Sequence, residues 1–222
     1  EYPCLGGIHG RPQLGKRACD ASLQPAACRD DAGLIHAMNV LGVTLARGGS
    51  RGVPHKHTRM LCGKPMIAWT LEEAVKSSFL NAYVVSSDSE EICGIARQMG
   101  IPAIRREARL AQDDTPTLPA LQNAVDIIEK LLVEEIRFDY IIEIRATSPL
   151  KTVEDIDGAI ELLISKDADS VIGVCELSDH HPARIKKIID GKIRDFCVPE
   201  PESGRRQDLQ PKAFIRNGTT YA

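Results

Sequence analysis

The chain has 222 residues, 43% of them hydrophobic and 27% charged, with a formal net charge of −3 at pH 7. That is the size of one large α/β domain with enough apolar material for a core, and the slight acidity argues against wholesale nucleic-acid binding. No apolar run approaches the roughly eighteen residues that a membrane-spanning helix needs, and residues 1–38 lack the basic start and apolar block of a secretory signal.

Seven cysteines stand at irregular spacing with no C-x-x-C pair, which points to reduced thiols rather than a disulfide scaffold. Residues 1–38 mix Gly, Pro, Arg and Cys without helix or strand period. We expect a disordered or non-native extension there, and a folded domain over residues 39–222.

The first strand signal is Val40 to Leu45, short, apolar and β-branched, as a core strand of a parallel sheet should be. It empties into a loop carrying Arg47, Gly48, Gly49, Ser50, Arg51, Gly52 and Lys56. Glycines admit backbone angles that other residues avoid. They also let main-chain N–H groups approach a ligand and form an anion-binding concavity. With three cations close by, the fitting guest is a polyphosphate. The spacing is neither the dinucleotide G-x-G-x-x-G nor the P-loop G-x-x-x-x-G-K-[ST].

Residues 65–77 repeat Ile67, Leu71, Ala74 and Val75 at helical spacing, with Pro65 in the first turn. Trp69 and Met66 are expected in the core. A second strand over 81–87 leads to a helix reaching about Met99, capped by Ser87 or Asp88 and stopped by Gly100. A third short strand covers 102–105. Thr115 as N-cap and Pro116 at the first position then open a helix whose apolar face carries Leu118, Leu121, Val125, Ile128 and Leu132.

Residues 140–144 make a fourth strand, and Arg145 and Thr147 follow at its carboxyl end, where open α/β sheets bind ligands. Thr152 and Asp155 stand at capping-box spacing before another helix. A fifth strand covers 169–174. His180 and His181 have no nucleophile or carboxylate assignable to them and read as structural or as part of a subunit boundary. Asp190-Gly191, between residues 184–189 and 192–196, marks a hairpin with a type I′ turn. The alternation of strands and helices gives an α/β class with a mostly parallel sheet.

Several of these segments also carry a resemblance. A-R-G-G-S-R-G-V-P-x-K at 46–56 is followed by G-K-P-M-I-A-W-T at 63–70 and V-S-S-D-S-x-x-I at 85–92. R-x-x-x-L-A-x-D occupies 106–113, T-S-P-L 147–150, and R-Q-x-L with F-x-x-N-G-x-x-Y 206–221. Together they resemble the CMP-sialic acid synthetases, or acylneuraminate cytidylyltransferases, including enzymes of legionaminic and pseudaminic type.

The resemblance implies a three-layer α/β/α sandwich of the nucleotide-diphospho-sugar transferase kind, with a protruding β arm through which two subunits pair, near residues 182–200. It implies a nucleotidyltransferase joining CTP to a nine-carbon 2-keto acid sugar, with Mg²⁺ as cofactor, in the cytoplasm. Arg47 and Lys56 take the catalytic roles, and Arg47, Gly49, Ser50, Arg51, Lys56 and Arg106 bind the nucleotide. Thr147, Arg206, Gln207 and Arg216 hold the acidic sugar, and Arg145, assigned to the same side from its own chemistry, is a cation suited to a sugar carboxylate or a phosphate.

The chain departs from the family at three places: His57 stands where Asn is usual, Arg145 replaces Gln and Ala146 replaces Pro. The family's metal-binding aspartates have no counterpart up to Ala222, so we expect them beyond it in a chain truncated at its C-terminus. The nearest alternative is a CMP-KDO synthetase, whose loop reads closer to A-S-x-R-x-P-G-K. A second alternative is a catalytically incomplete fragment that binds CTP or sugar.

Overall fold

The computed structural model describes residues 27–29, 35–50, 52–132, 136–177, 180–201, 205 and 208–222, with 27–29 and 35–37 as backbone only. The described residues up to Val171, together with Thr219–Ala222, form one compact unit, and Ile172–Gly218 form a second. In chain order the strands are β1 (Ala27–Arg29), β2 (Ile35–Ala37), β3 (Val40–Leu45), β4 (Met60–Leu61), β5 (Lys64–Pro65), β6 (Ala82–Ser87), β7 (Ala103–Arg105), β8 (Tyr140–Ile144), β9 (Ile172–Glu176), β10 (Lys186–Ile189), β11 (Lys192–Asp195) and β12 (Phe214–Tyr221). The helices are α1 (Met66–Ala74), α2 (Glu90–Gln98), α3 (Thr117–Leu131) and α4 (Val153–Ser165). β1 and β2 pair antiparallel, as do β4 and β5.

The first unit is built on β3. It lies between β6 and β8 and runs parallel to both, while β7 extends the sheet beyond β6. The end of β12 pairs antiparallel with β8, Thr220 opposite Ile144. Successive strand residues face opposite sides, and the core follows that alternation. Val40, Tyr83, Val85, Ile142 and Ile144 pack with Ile67 and Leu71 of α1, Ile92 of α2, and Ile156 and Ile160 of α4. Leu41, Val43, Val84 and Ile104 pack on the other side with Ala124 and Ile128 of α3. The unit is therefore a three-layer α/β/α arrangement with a mostly parallel sheet, as expected. Gly42 sits in the central strand because a Cβ there would lie 2.8 Å from Leu80 and 2.9 Å from Tyr83.

Several local expectations need correction. Ser89 caps α2: its Oγ accepts from the Ile92 N–H, while Ser87 Oγ turns to the Ser89 N–H. Asp88 is engaged elsewhere, as described below. α3 starts one residue late, with Pro116 as its cap, and Thr115 Oγ1 donates instead to the Arg109 carbonyl. Leu118 is exposed, and Ala120 and Ala124 take the innermost positions. Trp69 and Met66 are only half-buried. The Trp69 indole N–H donates to the Leu61 carbonyl and Lys64 lies over its ring, so it braces the β4–β5 hairpin. The Thr152–Asp155 capping box forms with both of its bonds.

In the second unit, β9 begins at Ile172, later than the sequence suggests, and hydrogen-bonds to β12. β10 and β11 pair antiparallel around Asp190 (φ 52°) and Gly191 (φ 70°), the two positive angles of a type I′ turn. His181 is buried with Ala183. Its Nδ1 accepts from the Ala183 N–H and its Nε2 meets the Pro211 carbonyl, the structural role expected of it.

Candidate functional site

The three parallel strands β3, β7 and β8 deliver their following residues to one place. A cavity of about 360 Å³ in the first unit is lined by Arg47 after β3, Lys56 and His57 of the next turn, Arg106 after β7, and Glu143, Arg145 and Thr147 at the end of β8. Segment 110–117, leading into α3, closes another side. This is the carboxyl edge of the sheet, where α/β folds place ligands.

Each cation is held by different means. Arg47 reaches Asp113 at 2.7 Å and donates to the Gln112 carbonyl at 3.2 Å. Arg106 is buried and donates to the Ser86 carbonyl, and its Nε has no partner. Burial opposes its charge and pulls its pKa down, Asp88 partly offsets this, and Arg47 adds to the lowering. Arg145 meets Glu143 at 3.2 Å and stacks on Tyr221, 4.7 Å from its centroid. Among the described residues Lys56 has no carboxylate partner.

The glycine loop is fixed from behind. Ala46 N–H donates to the Ser86 carbonyl at 3.0 Å, and Gly48 N–H to Asp88 Oδ1 at 2.8 Å. None of Gly48, Gly49 and Gly52 is in the left-handed region, contrary to the expectation that unusual backbone angles explain them. Gly48 is required by close approach, since a Cβ would meet the Ser89 Cβ at 2.9 Å. Gly49 and Gly52 face open space, and Gly49 and Ser50 line a second cavity of about 780 Å³ with Gln112, Asp113 and Asp114.

Two further residues brace the loops of the site, and sequence reading passed over the first of them. Lys151 is 4% exposed, and its ammonium donates to Thr70 Oγ1 at 2.9 Å and to the carbonyls of Arg145 at 2.5 Å and Ser148 at 2.9 Å. Burial lowers its pKa to about 8. Its only sequence signal is its place just after T-S-P-L. Asp88, read as a helix cap, is instead the anchor of the glycine loop. Among the described residues no group of three or more His, Cys, Asp or Glu gathers to hold a metal.

Of the residues singled out for ligand binding, Arg47, Lys56, Arg106, Arg145 and Thr147 share the first cavity. Gly49 and Ser50 line the second. Arg216 is exposed on β12, in the other unit. Arg51, Arg206 and Gln207 lie outside the described residues.

A cytidylyltransferase family model matches residues 41–185. The chain is 38% identical over 198 residues to CMP-N,N'-diacetyllegionaminic acid synthase of Legionella pneumophila, covering 83% of this chain and 84% of that one. It is 32% identical over 189 residues to N-acylneuraminate cytidylyltransferase A of Danio rerio, of which it spans 41% while 82% of this chain is matched. In fold it is similar to a CMP:2-keto-3-deoxy-manno-octonic acid synthetase solved with CTP, with a TM-score of 0.61 at 17% identity, over 82% of this chain and 73% of that one. A solved 4-diphosphocytidyl-2C-methyl-D-erythritol synthase of Anaerococcus prevotii gives 0.53 at 13% identity, over 83% and 69%. No helix among the described residues is long and apolar enough to cross a membrane. With the loops after β3, β7 and β8 gathered at one edge of the sheet and the family model matching most of the chain, the protein belongs to the cytidylyltransferase family.

Proposed function

We propose that this chain carries the nucleotide and sugar sites of an enzyme that joins CTP to a nine-carbon 2-keto acid sugar of the sialic-acid type, giving a CMP-sugar and pyrophosphate. The observation that carries this reading is the meeting of Arg47, Lys56, Arg106 and Arg145 on one cavity beyond the carboxyl ends of β3, β7 and β8. The relatives named for CMP-legionaminic acid and CMP-acylneuraminate synthesis support the substrate class.

In this reading the sugar's anomeric hydroxyl attacks the α-phosphorus, the bond to the bridging oxygen breaks, and pyrophosphate leaves. The protein works by alignment and by stabilising charge. Arg47 and Lys56 face the departing pyrophosphate. Gly49, Ser50, Arg51 and Arg106 hold the rest of the nucleotide. Arg145 and Thr147 take the sugar side, where a planar guanidinium grips a carboxylate through two parallel bonds.

Mg²⁺ belongs to the proposal as a companion of the nucleotide, neutralising part of the triphosphate's charge. It favours phosphate oxygens with one or two carboxylates and needs no larger protein cage.

The subunit arrangement in this reading is a homodimer formed through residues 182–200. Ile188 and Ile193 stand opposite each other on β10 and β11 and are 75% and 73% exposed. Two such apolar side chains on one face of a hairpin suit a partner surface. An Ile188→Lys, Ile193→Lys variant sedimenting as a monomer beside a dimeric parent would support this, and identical sedimentation would not. The location in this reading is the cytoplasm, in keeping with the free thiols of Cys62, Cys93, Cys175 and Cys197.

The deciding experiment incubates the protein with CTP, Mg²⁺ and either N-acetylneuraminic or N,N'-diacetyllegionaminic acid, with KDO as competitor, and measures pyrophosphate. Release with a nine-carbon acid is the expected result. Release with KDO alone would move the enzyme to the other class. Calorimetric CTP binding with no turnover on any sugar would reduce the chain to a binding module.

A further inference from the structure

The imidazole of His57 has no task in the scheme above, yet its setting is unusual. The residue is 6% exposed and its Nδ1 is buried with no hydrogen-bond partner. Its place is fixed, because its carbonyl accepts from the Ile67 N–H at the start of α1. The side chain forms part of the wall of the main cavity, and also of a smaller one of about 140 Å³ behind it. A buried ring nitrogen without a partner is destabilising, and an ordered fold keeps few of them. A ligand that supplies the partner accounts for it.

We propose that His57 contacts the phosphates of the bound nucleotide, and that it takes up a proton from solvent when the nucleotide enters. This rests on the nucleotide-binding reading above. The charged and titratable groups around it decide the direction. Lys56 adjoins it in the chain, Arg47 comes from the end of β3, and Arg106 from the end of β7. Glu143 and Arg145 line the same main cavity from β8, and His55 and Glu91 line the smaller one.

Without nucleotide the balance is against a charged ring. Burial is the largest influence, followed by Lys56, Arg106 and Arg47, and together they lower the imidazole from its ordinary 6.5 to about 4. A triphosphate reverses the field, since its negative charges lie among the same three cations. The imidazolium form then donates from both nitrogens, one to phosphate and one to whatever oxygen the filled site brings to the other. An asparagine at this place hydrogen-bonds without titrating, so the proton linkage belongs to the histidine.

Linkage fixes the sign. The free form titrates near 4 and the complex titrates higher. Between those values binding takes up a proton, and affinity rises as pH falls, by at most tenfold per pH unit. Above the pKa of the complex the dependence vanishes.

The test is titration calorimetry of the whole chain with CTP at pH 6.5, in buffers of different ionisation enthalpy, for wild type and His57→Asn. The apparent enthalpy of the wild type is expected to change with buffer by a fraction of one proton more than that of the variant. The nucleotide's own titration contributes equally to both and cancels. Inorganic tripolyphosphate should reproduce the excess, because the contact is with phosphate. Equal slopes in two proteins that both bind CTP would overturn the proposal and leave the nucleotide site intact, as would an excess seen with CTP but not tripolyphosphate. Failure of wild type to bind CTP would overturn the underlying reading as well. Should His57→Asn melt far below wild type, the histidine C2 proton resonances of the wild type decide instead. One histidine pKa must rise by at least two units on adding CTP, and no such rise refutes the uptake.

Discussion

β3 and β8 are parallel neighbours, yet the loops that follow them are built on opposite plans. After β3 the chain is pinned at two points, Ala46 to Ser86 and Gly48 to Asp88, and then runs past Gly49 into open space. Among the described residues no partner takes the N–H groups of Gly49 and Ser50. After β8 the turn is filled from within: Lys151 occupies the carbonyls of Arg145 and Ser148, and Ala146 is buried. The first loop keeps its backbone available for a ligand. The second spends its backbone on its own rigidity and offers only side chains, Arg145 and Thr147, to the cavity. A phosphate chain suits the first plan, and a substrate whose orientation must be fixed suits the second.

The largest effect expected from breaking this division is on turnover. Arg47→Ala or Lys56→Ala should lower kcat by about a hundredfold to a thousandfold, the usual loss when one donor to a developing anion is removed. Pyrophosphate release under saturating substrates measures it, and wild-type rates in both variants would take the β3 loop out of the chemistry.

Next comes the clamp. Lys151→Met leaves two carbonyls and the Thr70 hydroxyl without their buried donor, so unfolding free energy should fall by about 1–3 kcal/mol. The pH dependence has a definite sign. Burial holds Lys151 at about 8 against an ordinary 10.5, so below pH 8 the folded state carries a penalised charge. From about 8 to 10.5 the unfolded chain binds the extra proton, and wild type gains stability relative to the variant as pH rises. Urea titrations of both proteins at pH 7 and pH 10 should show the gap widening, and a constant gap would mean the ammonium is not penalised.

The glycines separate the two functions of the β3 loop more finely. Gly48→Ala forces a Cβ within 2.9 Å of Ser89 Cβ and should cost about 1–3 kcal/mol of stability. Gly49→Ala meets nothing within 4 Å and should change stability by less than about 0.5 kcal/mol. Equal melting temperatures for the two variants would contradict the close approach at Gly48. Ser89→Ala removes the α2 cap and should cost about 1 kcal/mol, between those two. Thermal melting resolves it, and an unchanged midpoint would assign the cap to another group.

Much of the scaffold was legible from residue order. The run Val40 to Leu45 gave a parallel core strand, Asp190-Gly191 gave a hairpin turn, and Thr152 with Asp155 gave a capping box. Each depends on neighbours a few residues away. The assignment of Asp88 failed for the complementary reason. Three polar residues in a row, Ser87, Asp88 and Ser89, all have capping chemistry, and only the approach of Gly48, forty residues earlier, takes Asp88 out of the competition. Leu118 misled because it shares a helical period with Ile128 but stands in the first turn of α3, where it is exposed while Ala120, Ala124 and Ile128 are buried.

What the sequence determined by itself was the α/β class, the alternation of β3, β6, β7 and β8 with the helices between them, and a glycine-rich, cationic segment suited to phosphate, because periodicity and composition are properties of adjacent residues. Tertiary structure alone decided that His57 sits buried among three cations, that Arg47 faces Asp113, and that a lysine lies beneath the second loop. A charge responds to every group within several ångströms, and those groups arrive from strands and turns far apart along the chain.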